Sequence, residues 1–268
     1  MNIRPPAVAH QFYPGDPEAL TRTLDALLAA APAPRDKPPK VLIVPHAGYL
    51  YSGSTAAEGY AWIAGRCGQV RRVVLLGPTH RVAVCGLALP ESEVFATPLG
   101  VVPLDTAACA VLSRLPQVVR SEPVHAQEHS LEVHLPFLQR LLGDFSLVPL
   151  AVGVASPEAV AEVVDELWGG PETLIVVSTD LSHFHPYDQA RRLDAGTCRD
   201  IVAGSPHLQP EQACGAFPLN GVLLAAGRRG LHAQLIACRN SGDTAGDRRR
   251  VVGYAALAIC DEAGGPHD

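Results

Sequence analysis

Residues 146–178 read SLVPLAVGVASPEAVAEVVDELWGGPETLIVVS. An apolar run at 146–152 gives way to helical spacing over 157–168, and a second apolar run follows at 173–178. Short apolar runs bounded by turn residues are the pattern of buried strands. Strand, helix and strand in one sheet imply a right-handed parallel crossover, so this stretch sets the fold class: α/β, with parallel strands at its centre.

The same alternation extends in both directions. Toward the N-terminus, Asp16 and Pro17 open a helix with Leu20, Leu24, Leu27 and Leu28 on one face, and the connector PAPRDKPP (32–39) leads into a strand at 41–44. A helix over 54–64, strands at 72–76 and 84–89, and a helix over 105–115 capped by Asp105 come next. Ser130 is expected to cap a helix carrying Leu131, Leu135, Leu138 and Leu142, kinked at Pro136. Toward the C-terminus come helices over 188–203 and 218–227, then strands at 232–238 and 251–259 joined by a turn-rich loop, NSGDTAGDRR. No linker and no fixed-period repeat interrupts 1–268. The expectation is one three-layer domain with a mostly parallel or mixed central sheet between helices.

Three strand ends carry unusual chemistry. VLIVPHAGY places His46 just past 41–44, RVVLLGPTH places His80 past 72–76, and LIVVSTDLSH places Asp180 and His183 past 173–178. Parallel strands end together, and that edge is where open α/β sheets bind ligands. Each histidine taken singly would be read as a loop residue; three at one edge point to a shared site.

The composition bounds the rest. The 268 residues are 47% hydrophobic and 18% charged, as in ordinary globular domains. A net charge of −6, with Arg248, Arg249 and Arg250 as the only basic block, speaks against nucleic acid as a partner. No apolar stretch reaches membrane-spanning length, and MNIRPPAVAHQFYPG does not read as a secretory signal. Seven scattered cysteines without a C-x-x-C pair indicate reduced thiols and a cytoplasmic setting.

Two further motifs bear on the site. EHSLEVHLPF (128–137) holds Glu128, His129, Glu132 and His134, but its histidines are five apart, so it is not a zincin helix. His129 is expected to point into a site, and His134 and Glu132 are divided between a solvated face and a supporting role. In CGAFPLNGVLLAA, Cys214 stands just before a helix N-terminus, where the dipole favours thiolate. Two chemistries fit these parts. His46, His80 and Cys214 form a three-donor set with an open position, suited to Fe(II), copper or zinc. Alternatively, Cys214, one histidine and Asp180 form an acyl-transfer triad, which would leave the repeated histidines unused. The loop 240–250 lacks any nucleotide-binding signature and reads as a connector near the site or at an interface.

Taken in order, PHAGYLYSG, LLGPTHRV, EHSLEVHLPFL, VVSTDLSHF, CGAFPLNGVL and ACRNSGD followed by VVGYAAL resemble the Memo family, whose bacterial and archaeal members are called AmmeMemoRadiSam system protein B. The resemblance implies a fold similar to the catalytic subunits of class III extradiol dioxygenases. It implies His46, His80 and Cys214 as ligands of iron or copper, with zinc a weaker expectation, Asp180 and His183 as the remaining pocket residues, His183 as the acid/base histidine and His129 as a second-sphere one. Asp180 stands three residues before His183 and is expected to orient that catalytic ring. Tyr51 matches a pocket tyrosine, and Phe12 stands where relatives have tryptophan. Those dioxygenases complete two histidines with a glutamate; here Cys214 takes that place, so catechol cleavage does not carry over. The implied function is a metal-binding redox protein acting on an unnamed small molecule. The alternative is a non-catalytic metal-, peptide- or partner-binding protein that kept the pocket. The family name also implies a link to a radical-SAM enzyme and an AMMECR-type protein.

Overall fold

The computed structural model describes residues 2–34 and 36–260. Met1, Arg35 of the proline-rich connector and the last stretch of the expected 1–268 domain, 261–268, lie outside the described residues. In chain order the elements are β1 (Ile3–Arg4), α1 (Pro17–Ala30), β2 (Val41–Val44), α2 (Tyr49–Ala61), β3 (Arg72–Pro78), β4 (Leu87–Leu89), β5 (Val94–Thr97) and β6 (Gly100–Pro103). There follow α3 (Thr106–Leu112), β7 (Val118–Arg120), α4 (Glu122–Ala126), α5 (His129–Glu132), α6 (Leu135–Leu142), β8 (Ser146–Val152) and α7 (Pro157–Leu167). The chain closes with β9 (Thr173–Ser178), β10 (His183–His185), α8 (Tyr187–Val202), α9 (Ala216–Gly227), β11 (His232–Asn240) and β12 (Val251–Cys260).

The main sheet is mixed. Four parallel strands, β2, β9, β3 and β8, form its centre. Antiparallel pairing adds β12 beside β2 and β4 beside β8, β7 lies parallel to β4, and β11 runs antiparallel to β12. In the central strands odd and even residues serve different cores. Ile43, Val74, Leu76, Ile175 and Val177 pack with Val160, Val164, Leu219 and Ile201 of α7, α9 and α8. Leu42, Val44, Val73, Leu75, Leu174 and Val176 pack with Leu20, Leu24, Tyr60 and Phe137 of α1, α2 and α6. Because side chains alternate across a strand, an unbroken apolar run buries both faces, and helices cover each. The α/β, three-layer expectation is therefore met. No helix of the described residues is long and apolar enough to cross a membrane.

The structure revises several local expectations. The helix expected from Ser130 is two pieces, α5 and α6, and Glu128, not Ser130, caps the first by accepting from the Ser130 N–H. Pro136 explains the break: it has no N–H for the helical ladder, so the chain restarts with proline in the first turn of α6. The second helix starts at Tyr49, earlier than 54, which brings Tyr51 into its first turn. A separate three-stranded sheet, β1–β5–β6, went unread because its strands are two to four residues long.

That small sheet anchors the N-terminal segment against the site-bearing helix. Buried Arg4 pairs with Glu132 at 2.7 Å and also donates to the carbonyls of His125 and Glu128. Glu132 further accepts from the Ala7 and Val8 N–H groups and from the Tyr13 hydroxyl. This fully hydrogen-bonded hub takes Glu132 off the solvated face and sets its carboxylate on Arg4, which holds the Glu128 carbonyl. It lies in neither a solvated face nor the pocket, because four donors hold a carboxylate that would otherwise be too costly to bury.

Candidate metal centre

β2, β3 and β9 end at the same edge, so the residues just past them converge. His46 follows β2, His80 follows β3, and His129 opens α5, which packs on β3. The three imidazoles offer nitrogens that all lie within 4.8 Å of one another. Ring centroids are 5.1 Å apart for His46 and His80, 5.3 Å for His46 and His129, and 4.6 Å for His80 and His129.

What holds each ring defines which nitrogen is free. Ser178 Oγ lies 2.6 Å from His46 Nδ1 and donates its hydrogen to the Ser130 carbonyl, also at 2.6 Å. A hydroxyl has one hydrogen, so Nδ1 of His46 must be the donor in that contact and Nε2 keeps its lone pair. Glu128 fixes the other two rings. Its carboxylate accepts from the His80 N–H (2.6 Å) and His80 Nδ1 (2.9 Å), and lies 3.3 Å from His129 Nδ1. Three hydrogen bonds and the His80 charge pull Glu128 down to about 2 against its burial, so it is ionised and acts as acceptor only. Imidazoles with Nδ1 tied to a carboxylate or hydroxyl and Nε2 bare are the arrangement of metal-ligating histidines.

Burial also resists protonation. It lowers His46 well below the ordinary imidazole range, with His80 and His129 adding like-charge repulsion, and it brings His129 to about 4. Neutral imidazole is the form that binds a cation. The donor set thus fits a metal ion.

Cys214 closes one side. Its Sγ lies 3.4 Å from His46 Nε2 and accepts from the Asp180 N–H at 3.3 Å. Gly215 allows this approach: a Cβ there would fall 2.6 Å from the Ser178 carbonyl oxygen and 2.7 Å from Thr179 Cβ. The thiolate expected from the α9 dipole is not what the surroundings favour. Burial, followed by Asp180, pushes the thiol up to about 12, and the nearby N–H donors offset this only in part. Asp180 itself is raised to about 7 by burial, although the His46 N–H donates to its Oδ1 at 2.8 Å.

The geometry excludes the acyl-transfer triad. Cys214 Sγ and Asp180 Oδ2 (4.0 Å) both face Nε2 of His46, whereas an orienting carboxylate must hold the opposite nitrogen, which Ser178 occupies. Nor does Asp180 orient His183. Its oxygens turn to His46, while the His183 ring is held by the Leu181 carbonyl and edges against Phe184. His183 is lowered by burial and remains half-buried.

Phe12 packs on the His129 ring at 4.8 Å, at the cluster's border. Tyr51 is exposed at the start of α2 and lies within electrostatic range of Tyr254, which reaches Asp180 as well. His134, expected on a solvated face or supporting the site, is buried behind it. Its Nδ1 contacts the Tyr60 hydroxyl at 3.0 Å, its Nε2 has no partner, and burial lowers it to about 3. The loop after β11 is ordered by a capping box between Asn240 and Asp243, and Tyr187 donates to Asp243. Sequence reading missed the roles of Glu128 and Ser178. Their signal is adjacency: Glu128 directly precedes His129, and Ser178 is the last residue of the strand that delivers Asp180.

A two-core α/β domain with a histidine cluster at the carboxyl edge of its parallel strands, two of its rings hydrogen-bonded at Nδ1, defines a class of candidate metal-binding proteins. The sequence pattern of the "Memo-like protein" family matches residues 4–258. A MEMO1 family protein of Aquifex aeolicus is 34% identical, covering 96% of this chain and 99% of its own. Relatives of the same name from Methanopyrus kandleri and Ignicoccus hospitalis are each 35% identical, covering 96% of this chain and 98% of theirs. The chain belongs to the Memo-like family. An uncharacterized protein of Escherichia coli K12 overlays on 82% of this chain and 98% of its own at 13% identity, with a TM-score of 0.47.

Proposed function

We propose that this protein is a mononuclear metalloprotein and oxidoreductase that holds Fe(II), or copper as second choice ahead of zinc, and acts on a small molecule bound at the open side of the cluster. The observation that carries the reading is the hydrogen-bonded pinning of Nδ1 on His46 and His80, which leaves Nε2 of each as the donor in a cluster whose nitrogens lie within 4.8 Å of one another. In this reading His46, His80 and Cys214 are the ligands, Cys214 through its contact with His46, although the donors that converge within 4.8 Å of one another are those of His46, His80 and His129. The 3.4 Å between His46 Nε2 and Cys214 Sγ is close to the edge of a tetrahedron built with metal–ligand bonds of about 2.0–2.3 Å. A bound cation also supplies what the thiol lacks, since it stabilises the thiolate that burial disfavours. His129, tilted 31° against His80 and packed on Phe12, borders the cluster.

Iron or copper bound there supplies one-electron chemistry and open positions for a second ligand. The protein's own residues orient and exchange protons. In this reading neutral His129 and His183 accept a proton from substrate, and Asp180, raised to about 7, both holds the His46 backbone and carries a proton near neutrality.

Metal analysis of anaerobically purified protein tests the first half of the proposal. One ion per chain is expected, lost in His46→Ala and His80→Ala and kept in His129→Ala, while Cys214→Glu moves selectivity from Cu(I) toward Fe(II). Unchanged metal content in both histidine variants sinks the proposal, and loss in His129→Ala makes that ring the third ligand. Oxygen consumption by the Fe(II)-loaded protein with a panel of catechols and small aromatics tests the second half. His183→Ala should keep the metal and lose turnover by roughly 10²–10⁴-fold. If the loaded protein turns over nothing, the oxidoreductase half falls and the metal-binding half stands.

A further inference from the structure

Away from the histidine cluster, α8 and β11 bring two more cysteines together. Cys198 sits on the buried face of α8, which packs on β11, and Cys238 is exposed on that strand. Both line a pit of about 480 Å³ whose remaining walls are largely apolar, from Ala195, Val202, Ala203 and Leu235. β11 is the outermost strand on its side of the main sheet, since its ladder runs to β12. The pit therefore opens at the sheet's edge. Arg199 stands on its border and continues into a second cleft of about 590 Å³, where Arg191, Arg192 and Arg199 face one acid, Asp188. A basic rim on a chain of net charge −6 is a local feature that the composition does not predict.

We propose that Cys198 and Cys238 form a thiol–disulfide exchange site for a small disulfide that carries carboxylates, separate from the histidine cluster and independent of the ion proposed there. The apolar pit accommodates the sulfur-bearing body of such a molecule, and the arginines meet its carboxylates. An exposed thiol and a buried one in the same pit give an attacking sulfur and a resolving sulfur. Exposure makes Cys238 the attacker, and the influence of each thiol on the other runs the same way, lowering Cys238 and raising Cys198.

The chemistry balances as follows. The Cys238 thiolate attacks one sulfur of the small disulfide, that S–S bond breaks, and the departing thiolate takes up the proton that Cys238 lost. The Cys198 sulfur then attacks Cys238 Sγ in the mixed disulfide, and its proton leaves with the second small thiol. Two protein thiols become one disulfide, the small disulfide becomes two thiols, and two electrons and two protons pass between them. The bridge ties α8 to β11 around the segment that carries Cys214.

Oxidised glutathione is the probe. After treatment and quenching, the thiols counted in denaturant should fall by two from the seven of the sequence, and peptide mapping should find Cys198 joined to Cys238. Cys198→Ser should instead trap glutathione on Cys238, and Cys238→Ser should give neither product. Both substitutions change one atom, and circular dichroism checks the fold. The uncharged hydroxyethyl disulfide should react several-fold more slowly, and Arg191→Glu with Arg199→Glu should remove that difference. No bridge in the wild type, or adducts on exposed Cys67 and Cys85 in preference to Cys238, overturns the site. Equal rates for the two disulfides overturn the acidic partner.

Discussion

Ser178→Ala removes one oxygen and tests the tautomer that the metal reading depends on. The Ser178 hydroxyl accepts from His46 Nδ1 at 2.6 Å and donates to the Ser130 carbonyl at 2.6 Å, all at buried positions. Without it, a ring N–H and a carbonyl are both left unpaired. An orphaned buried group costs about 1–3 kcal/mol, so the pair should cost roughly 2–6 kcal/mol of stability. The consequence for binding is separate. With its partner gone, the ring can carry its proton on Nε2 or rotate, and loss of an outer partner of a ligating histidine typically weakens metal affinity about 10–100-fold. Chelator competition measures that loss, and nitrogen chemical shifts of labelled histidine in the metal-free protein report which nitrogen of His46 holds the proton. The wild type should show Nδ1–H; the variant should show a mixture. Unchanged affinity together with an unchanged tautomer would refute the claim that Ser178 sets the ring.

Gly215→Ala should displace Cys214, because its Cβ would overlap the Ser178 carbonyl and Thr179. Expected are about 1–3 kcal/mol of destabilisation and a loss of thiol-dependent metal selectivity, and a variant with wild-type selectivity refutes the packing argument. Glu132→Gln strands Arg4 without its counter-charge and should cost about 3–5 kcal/mol in urea melts, with early proteolysis near the N-terminus; Arg4→Met with Glu132→Leu should cost less than the single change. His125, away from the cluster, is brought by burial to about 4 from an ordinary value near 6.5. The unfolded chain takes up that proton first, so its contribution is whole above pH ~6.5 and falls by about 2 kcal/mol at pH 5. His125→Gln should flatten that part of the stability profile, and an identical slope in the variant argues against it.

The fold was legible because apolar runs and helical spacing alternate over most of the chain, and 146–178 is found as β8, α7 and β9 within a residue or so of its expected bounds. What escaped reading was short or non-local. Strands of two to four residues, such as those of the small sheet, carry too few positions for a period to show. The EHSLEVH segment was read as one helix because its leucines keep the spacing across Pro136, while the missing N–H of that proline acts only on the backbone. At the site, the convergence of His46 and His80 followed from strand ends, a topological rule. The assignment of Asp180 to His183 followed from sequence proximity and failed: the loop after β9 turns the carboxylate back toward β2, where the His46 N–H takes it.

The electrostatics of the edge connect burial to the proposed chemistry. Glu128 is the group there that is ionised well below neutrality, Asp180 is balanced near it, and the thiol and the lowered imidazoles are uncharged. Glu128 and Asp180 together hold between one and two negative charges beside the neutral rings of His46 and His129. A dication binding through His46, His80 and a deprotonated Cys214 brings the total near zero, the condition under which buried charge is least costly. A monocation leaves an excess of negative charge that water cannot relieve. Softness alone favours copper(I) at a sulfur-bearing site. The carboxylate that pins His80 and His129 therefore does two things at once: it fixes the donor nitrogens, and it sets a charge deficit matched by two positive charges more closely than by one. That second effect places Fe(II) ahead of Cu(I) in the proposed order, in spite of the thiol.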